Sequence, residues 1–328
     1  MATAPARTMT ELLHFSRQLT AEAQAQASGV GAWDQHYEQL SNGRFEGLAE
    51  DLHLDFVQVF HERANQTVLQ RGRGRPGAIA FALTETAAPG SWYCGHDLGG
   101  RQLSALPPRG EFELLAGAGM DLMAVCVDTE PLAKLATTLF GPDFELRMPA
   151  PAPVQHPGFD ETAFTRLLGA ALSLARDNLA QLEQPAARHM LSLSLADAVL
   201  QCMGSKAFEA RLPASTAARR HIVAKAREYM QAHADEPISV PDLCAATGVS
   251  RRSLQYAFED VLHLSPVTYL RVMRLNRVRC EMQACRGDTI GDIAARWGFW
   301  HLSRFAIDYA RLFGELPSAT RARWFAKS

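Results

Sequence analysis

Four side chains in the last third of the chain are of types that read DNA: Arg251, Arg252, Gln255 and Tyr256. A guanidinium can donate two hydrogen bonds to guanine O6 and N7, or bind a phosphate. A glutamine amide pairs with adenine, and a tyrosine meets a thymine methyl or a phosphate. The spacing places all four on the first turns of one helix. About fifty residues on, Trp300, His301, Ser303 and Arg304 fill the equivalent surface, with Arg304 the strongest of them for base or phosphate contact. A helix presenting such a face from its N-terminal end can enter a major groove.

The elements that must hold these side chains follow from local chemistry. From Ser239 to Pro266 the pattern is helix, tight turn, helix. Ser239 caps the first helix with Asp242 as capping-box partner. Pro241 is tolerated in a first turn, and Gly248 stands where a left-handed residue must end the helix. Ser250 caps the second helix, in which Leu254, Phe258, Val261 and Leu262 fall on the inward face. One such hairpin is a tolerant pattern, but it occurs twice. Val240, Asp242, Leu243, Ala245, Gly248 and Val249 match Ile290, Asp292, Ile293, Ala295, Gly298 and Phe299 at an offset of 50. Leu254, Phe258 and Pro266 match Phe305, Tyr309 and Pro317 at an offset of 51, so the second turn is one residue longer. Thr289 and Asp292 repeat the capping box. Between the copies runs one long helix with an apolar stripe (Val267, Leu270, Met273, Leu275, Val278, Met282). Arg271, Arg274, Arg277 and Arg279 lie largely off that stripe, as phosphate contacts or as a solvated face. Such a strut could set two reading helices about one DNA turn apart, roughly 34 Å.

The two copies, the joining helix, Ser265-Pro266 and the run Gly298, Phe299, Phe305, Tyr309, Phe313, Gly314, Pro317 and Arg321 resemble the AraC/XylS family of bacterial transcription regulators over about residues 219–325. The resemblance implies a seven-helix DNA-binding domain at the end of a transcription factor, often an activator. Double-stranded DNA and RNA polymerase are the implied partners. The sequence departs from the family at His263, where a Gly precedes the first Ser-Pro, and at Leu316, where a Ser precedes the second Pro. Ile307 and Ala310 replace the usual Arg and Lys of the second reading helix. The first copy is therefore expected to carry most of the base reading.

Charge agrees with a split of roles. The net charge of −2 divides into +6 from Arg219 onward and −8 for residues 1–218. A basic end on an acidic body suits a polyanionic partner for the C-terminal part alone. Cys94, Cys126, Cys202, Cys244, Cys280 and Cys285 show no CxxC spacing, which argues against structural zinc and fits a reducing compartment. A cytoplasmic protein without a signal peptide or membrane span is expected.

The fold expected is α+β: an N-terminal cupin-like β-barrel or sandwich regulatory domain with helices, then an all-α domain with two helix-turn-helix motifs. The domains read as 1–203 (β-rich 46–128, helical 130–203), a linker at 204–218, and 219–328. Residues 1–45 look helical and polar. From Glu46 short apolar or alternating runs are separated by Gly and Pro, which predicts a sandwich or small barrel. RGRGRPG, residues 71–77, reads as a solvated hairpin loop. Trp92, Tyr93 and Phe112 either line an effector pocket or form sheet core, with core favoured. His53, His61 and His96 lack the close pairing of a cupin metal site, so neither metal nor cofactor is expected. Two helices, residues 161–182 and 184–203, either pair across a homodimer or pack on their own barrel. Alternatives are a cupin-like metal-dependent enzyme with a helical appendage and a helical adaptor that binds protein. The effector, the operator and the sign of regulation are open.

Overall fold

A computed structural model describes residues 13–141, 146–154, 159–203, 214–234, 236, 238–284 and 287–325. They divide into two compact units. The first takes the described residues within 1–37, 46–65 and 70–210; the second takes those within 38–45, 66–69 and 211–328.

The first unit is β-rich. Its elements, with residues 38–39 of β2 and 68–69 of β5 falling in the second unit, are β1 (His14–Thr20), α1 (Ala23–Ala27), β2 (Asp34–Gln39), β3 (Gly47–His53), β4 (Val57–Ala64), β5 (Val68–Arg73), β6 (Ala78–Thr86), β7 (Trp92–Tyr93), β8 (His96–Asp97), β9 (Gln102–Leu106), β10 (Glu111–Ala116), β11 (Met120–Asp128), α2 (Thr129–Phe140), β12 (Ala152–Pro153), α3 (Glu161–Glu183) and α4 (Pro185–Met203). Seven strands form one sheet in the order β1-β3-β4-β11-β6-β9-β12, and five form the other, β2-β5-β10-β7-β8.

Register in the larger sheet sorts side chains by size. Val125 lies opposite Val59 and Phe81, and Val127 opposite Val57 and Ile79. Because side chains alternate along a strand, these large residues share one face. That face buries Phe164, Leu168 and Leu172 of α3 and Leu195, Val199 and Leu200 of α4. Each fully buried side chain of this size contributes about 1.5–3 kcal/mol. The two long helices thus pack on their own sheet, one of the two arrangements the sequence left open. The other face of the same strands carries Phe60, Ala80, Ala82 and Ala124, and a second cluster with Leu106, Phe112 and Leu114 forms there.

The first residues depart from the helical expectation. Within 14–39 only Ala23–Ala27 is helical; the rest holds β1 and β2. β1 pairs along its whole length with β3, from His14 opposite His53 to Thr20 opposite Gly47. That partner lies some thirty residues away, so long-range pairing overrides a polar local pattern.

The second unit contains, among the described residues, seven helices: α5 (Ala214–Ala232), α6 (Val240–Thr247), α7 (Arg251–Leu262), α8 (Pro266–Ala284), α9 (Ile290–Arg296), α10 (Leu302–Phe313) and α11 (Pro317–Phe325). α5 starts at Ala214, inside the stretch read as linker, because ASTAA is small and Ala-rich and so helix-compatible. Its Val223, Ala226 and Met230 are buried. The strut α8 has 19 residues, about 28 Å of helix. Tyr269, Met273, Val278 and Met282 bury its apolar side.

Candidate nucleic-acid interface

Both copies are built as their local chemistry dictates. Ser239 N donates to Asp242 Oδ2 at 2.8 Å, and Asp242 N donates back to Ser239 Oγ at 3.4 Å. The second capping box repeats this at 3.1 Å in both directions between Thr289 and Asp292. The cap hydrogen bonds lower both aspartate pKa values, since they favour the charged form. Gly248 (φ 74°) and Gly298 (φ 80°) take the left-handed conformation after the first helix of each copy.

The outward face of α7 carries Arg251, Arg252 and Tyr256 exposed, while Leu254, Ala257, Phe258, Val261 and Leu262 are buried. Ser250 caps this helix, its hydroxyl accepting from Ser253 N at 3.2 Å. Arg252 Nη2 donates to the Tyr256 hydroxyl at 3.2 Å. Gln255 is half-buried and donates to Glu259 Oε1 at 2.6 Å, so it must exchange that partner to reach a base.

The second copy is different. α10 starts at Leu302, so Trp300 and His301 precede it. They sit on the longer turn, and His301 is the N-cap without a side-chain hydrogen bond. They are expected on the surface equivalent to that of α7, and they lie ahead of the helix on the turn that the offset of 51 makes one residue longer. Ser303 and Arg304 are exposed on the first turn. Arg304 Nε lies 3.2 Å from Asp308 Oδ2, and Arg271 Nε is 3.8 Å from the same oxygen. Trp300, Leu302 and Ile307, each more than half exposed, make the rest of this surface apolar.

The strut arginines are unequal. Arg271 is exposed. Arg274 donates to the Ala234 carbonyl at 3.1 Å and to the Glu236 carbonyl. Arg279 is buried: it donates to the Tyr309 hydroxyl at 3.0 Å and to Glu315 at 2.8 Å, and stacks on Phe313 at 4.3 Å. Burial raises the Glu315 pKa, but hydrogen bonds from Thr320 and Arg279 outweigh it and leave a net lowering. Arg279 is therefore an internal pin and not a surface contact. Its burial depends on α10 and α11, which sequence spacing within α8 does not reveal.

Comparison with known proteins gives the same segment a family. Residues 243–323 match the family model described as "Helix-turn-helix domain". The "Probable thc operon regulatory protein" of Rhodococcus erythropolis is 36% identical over 113 residues, 34% of each chain. The "XylDLEGF operon transcriptional activator" of Pseudomonas putida is 35% identical over 99 residues, 28% of this chain and 30% of that one. The chain thus spans about a third of the length of these curated relatives. A solved structure of a probable AraC family transcriptional regulator from Rhodopseudomonas palustris CGA009 is 33% identical, with 31% of this chain and 96% of that chain covered and a TM-score of 0.30. The chain belongs to the AraC family. Against the AraC-family pattern, His263 sits in the left-handed conformation (φ 55°) as the C-cap of α7, the place where the family's glycine is free of Cβ strain.

In the first unit the singled-out residues scatter. His53 Nε2 meets Asp51 at 3.0 Å, and His61 Nε2 meets Asp121 at 2.7 Å, while His96 lies on β8. Arg75, expected in a solvated loop, is buried and donates to Asp128 Oδ1 at 2.7 Å. Arg71, Gly72 and Arg73 belong to β5. Cys126 is buried, and burial pushes its thiol up to about 12; Cys285 lies outside the described residues. Trp92, Tyr93 and Phe112 are all buried, and Tyr93 and Phe112 also line a cavity between the sheets. The sequence reading missed the other walls of that cavity, although the alternation of alanines along β6 carried the signal.

Proposed function

We propose that this chain is a sequence-specific DNA-binding transcription regulator, an activator, whose α7 does most of the base reading. The observation that carries this is the tandem arrangement: two capped helix pairs, one presenting Arg251, Arg252 and Tyr256 to solvent. The names of the relatives support the sign of regulation. Arg304 adds a weaker second contact, because Asp308 shares its charge. The β-rich unit is the sensor, taking a small-molecule effector into the cavity between its sheets. RNA polymerase is the partner implied by an activator, and a bacterial activator of this kind works in the cytoplasm. A homodimer would use faces of α3 and α4 not committed to the sheet, such as that of exposed Met190.

The test is a gel shift of the purified full chain on promoter fragments over a salt series. Affinity that falls steeply with salt means phosphate contacts. Affinity indifferent to salt, or no shift on any fragment, would favour the protein-binding adaptor.

A further inference from the structure

The cavity between the sheets has a volume of about 50 Å³, and about 560 Å³ of non-atom space when the solvent at its mouth is counted. It exists because the inner faces of β6 and β11 carry Ala80, Ala82 and Ala124, where the outer faces of the same strands carry Ile79, Phe81 and Val125. Its wall is aromatic. Trp33 meets Phe60 edge-on at 5.3 Å and Phe112 at 5.7 Å, leaving ring surfaces for a flat apolar guest. Two buried polar atoms interrupt this wall. Gln70 Nε2 and Ser104 Oγ find no hydrogen-bond partner among the described residues, in side chains only 2% and 5% exposed. A buried donor without an acceptor is costly, so these atoms mark where a guest should present one. Gln35, Thr84 and Glu62 also reach the wall; Gln35 Nε2 donates to the Ala27 carbonyl at 2.9 Å, and for Glu62 Tyr37 Oη donates to Oε2 at 2.9 Å and Gln26 Nε2 to Oε1 at 3.2 Å. Among the described residues, no Lys, Arg or His lines the cavity. An anion would be buried beside a carboxyl with no counter-charge, the least favourable pairing available.

We propose that this cavity binds an uncharged aromatic molecule carrying a hydrogen-bond acceptor, an amide or ketone in type, held by Gln70 and Ser104, and that it rejects the corresponding carboxylate. This ligand class rests on the reading of the β-rich unit as the sensor. Glu62 supports it from a second side. Burial pushes its carboxyl up to about 7 against the hydrogen bonds from Tyr37 and Gln26, so the group is not a fixed anion waiting for a cationic guest.

The experiment is calorimetric titration of the full chain at pH 7 with four probes of one shape: benzamide, benzoate, benzylamine and toluene. Benzamide is expected to bind at least about tenfold tighter than benzoate, the ratio for about 1.4 kcal/mol of unpaired burial. Ser104→Ala, the smallest change available, and Gln70→Leu should each weaken benzamide several-fold and leave toluene within about twofold, since only a hydrogen bond is lost. Circular dichroism confirms that each variant folds, and Ser104→Ala decides alone if Gln70→Leu does not. Benzoate or benzylamine binding as tightly as benzamide, no binding by any probe, or variants that leave benzamide unchanged would each overturn the proposal. Adding the probes to the gel shift separates it from the sensor reading. Benzamide that binds without altering DNA affinity sinks the sensor and keeps the ligand class. Benzoate that binds and alters DNA affinity keeps the sensor and sinks the ligand class.

Discussion

Arg252 donates from Nη2 to the Tyr256 hydroxyl at 3.2 Å, and its guanidinium lies 5.4 Å from the centroid of the same ring. Both side chains are exposed, one helical turn apart on α7. The ring and hydroxyl together restrict the guanidinium before DNA arrives, so less rotamer freedom is lost on binding. Arg252→Ala should cost about 1–3 kcal/mol of operator affinity and relax the choice of base at one position. Tyr256→Phe keeps the ring and removes only the hydroxyl, so its cost should be smaller, about 0.5–1.5 kcal/mol. Fluorescence anisotropy on matched and single-base-changed duplexes separates the two effects.

Arg304 offers the contrast. Asp308 lies 3.2 Å away and is itself 8% exposed, so the arginine has a competing anion that a phosphate must displace. Arg304→Ala is expected to weaken DNA binding less than Arg252→Ala, by about 1 kcal/mol or under. The same anisotropy titration measures it, and a loss equal to that of Arg252→Ala would reverse the ranking of the two copies.

The two turn glycines make a paired stability test. Both have left-handed φ, but a Cβ on Gly248 would meet no atom of the described residues within 4 Å, while one on Gly298 would come within 2.9 Å of Arg274 Nη1. That nitrogen's side chain is pinned on the Ala234 carbonyl and cannot swing aside without losing a bond. Gly248→Ala should cost about 1–2 kcal/mol from backbone strain alone. Gly298→Ala should cost about 1 kcal/mol more, for the lost hydrogen bond. Urea denaturation followed by circular dichroism gives both numbers.

Glu62 gives the pH dependence. Burial raises its folded pKa from 4.5 to about 7. The unfolded state therefore releases this proton at lower pH than the folded state does. The stability linked to Glu62 is full below about 4.5 and is lost as pH rises toward about 7, by up to about 3 kcal/mol. Glu62→Gln cannot ionise and should lose less stability than the parent between pH 5 and pH 8. Denaturation midpoints of both proteins at the two pH values check this, and parallel losses would show that Glu62 is not the titrating group.

What was legible in the sequence was local. The boxes at Ser239–Asp242 and Thr289–Asp292, the stops at Gly248 and Gly298 and the inward stripe of α7 each depend on residues within a turn or two, and the structure has them where spacing put them. The strands β1 and β2 were read as helix because their partners lie far along the chain. Arg279 was placed off the apolar stripe because nothing within α8 announces Tyr309, Phe313 and Glu315. The shift of offset from 50 to 51 shows that the second turn is one residue longer, and Trp300 and His301 lie on that turn, ahead of α10. The cavity was half legible: Tyr93 and Phe112 were named, but Gln70 and Ser104 gain meaning only once two sheets face each other.

Selection from random-sequence duplexes by the purified chain tests the central claim most directly. The expected result is an enriched site with one strongly fixed block and a weaker block about 10 base pairs away, one turn of the duplex, and Arg252→Ala should loosen the strong block alone. A pool that emerges without any enriched sequence, or an Arg252→Ala pool identical to that of the parent, would contradict it.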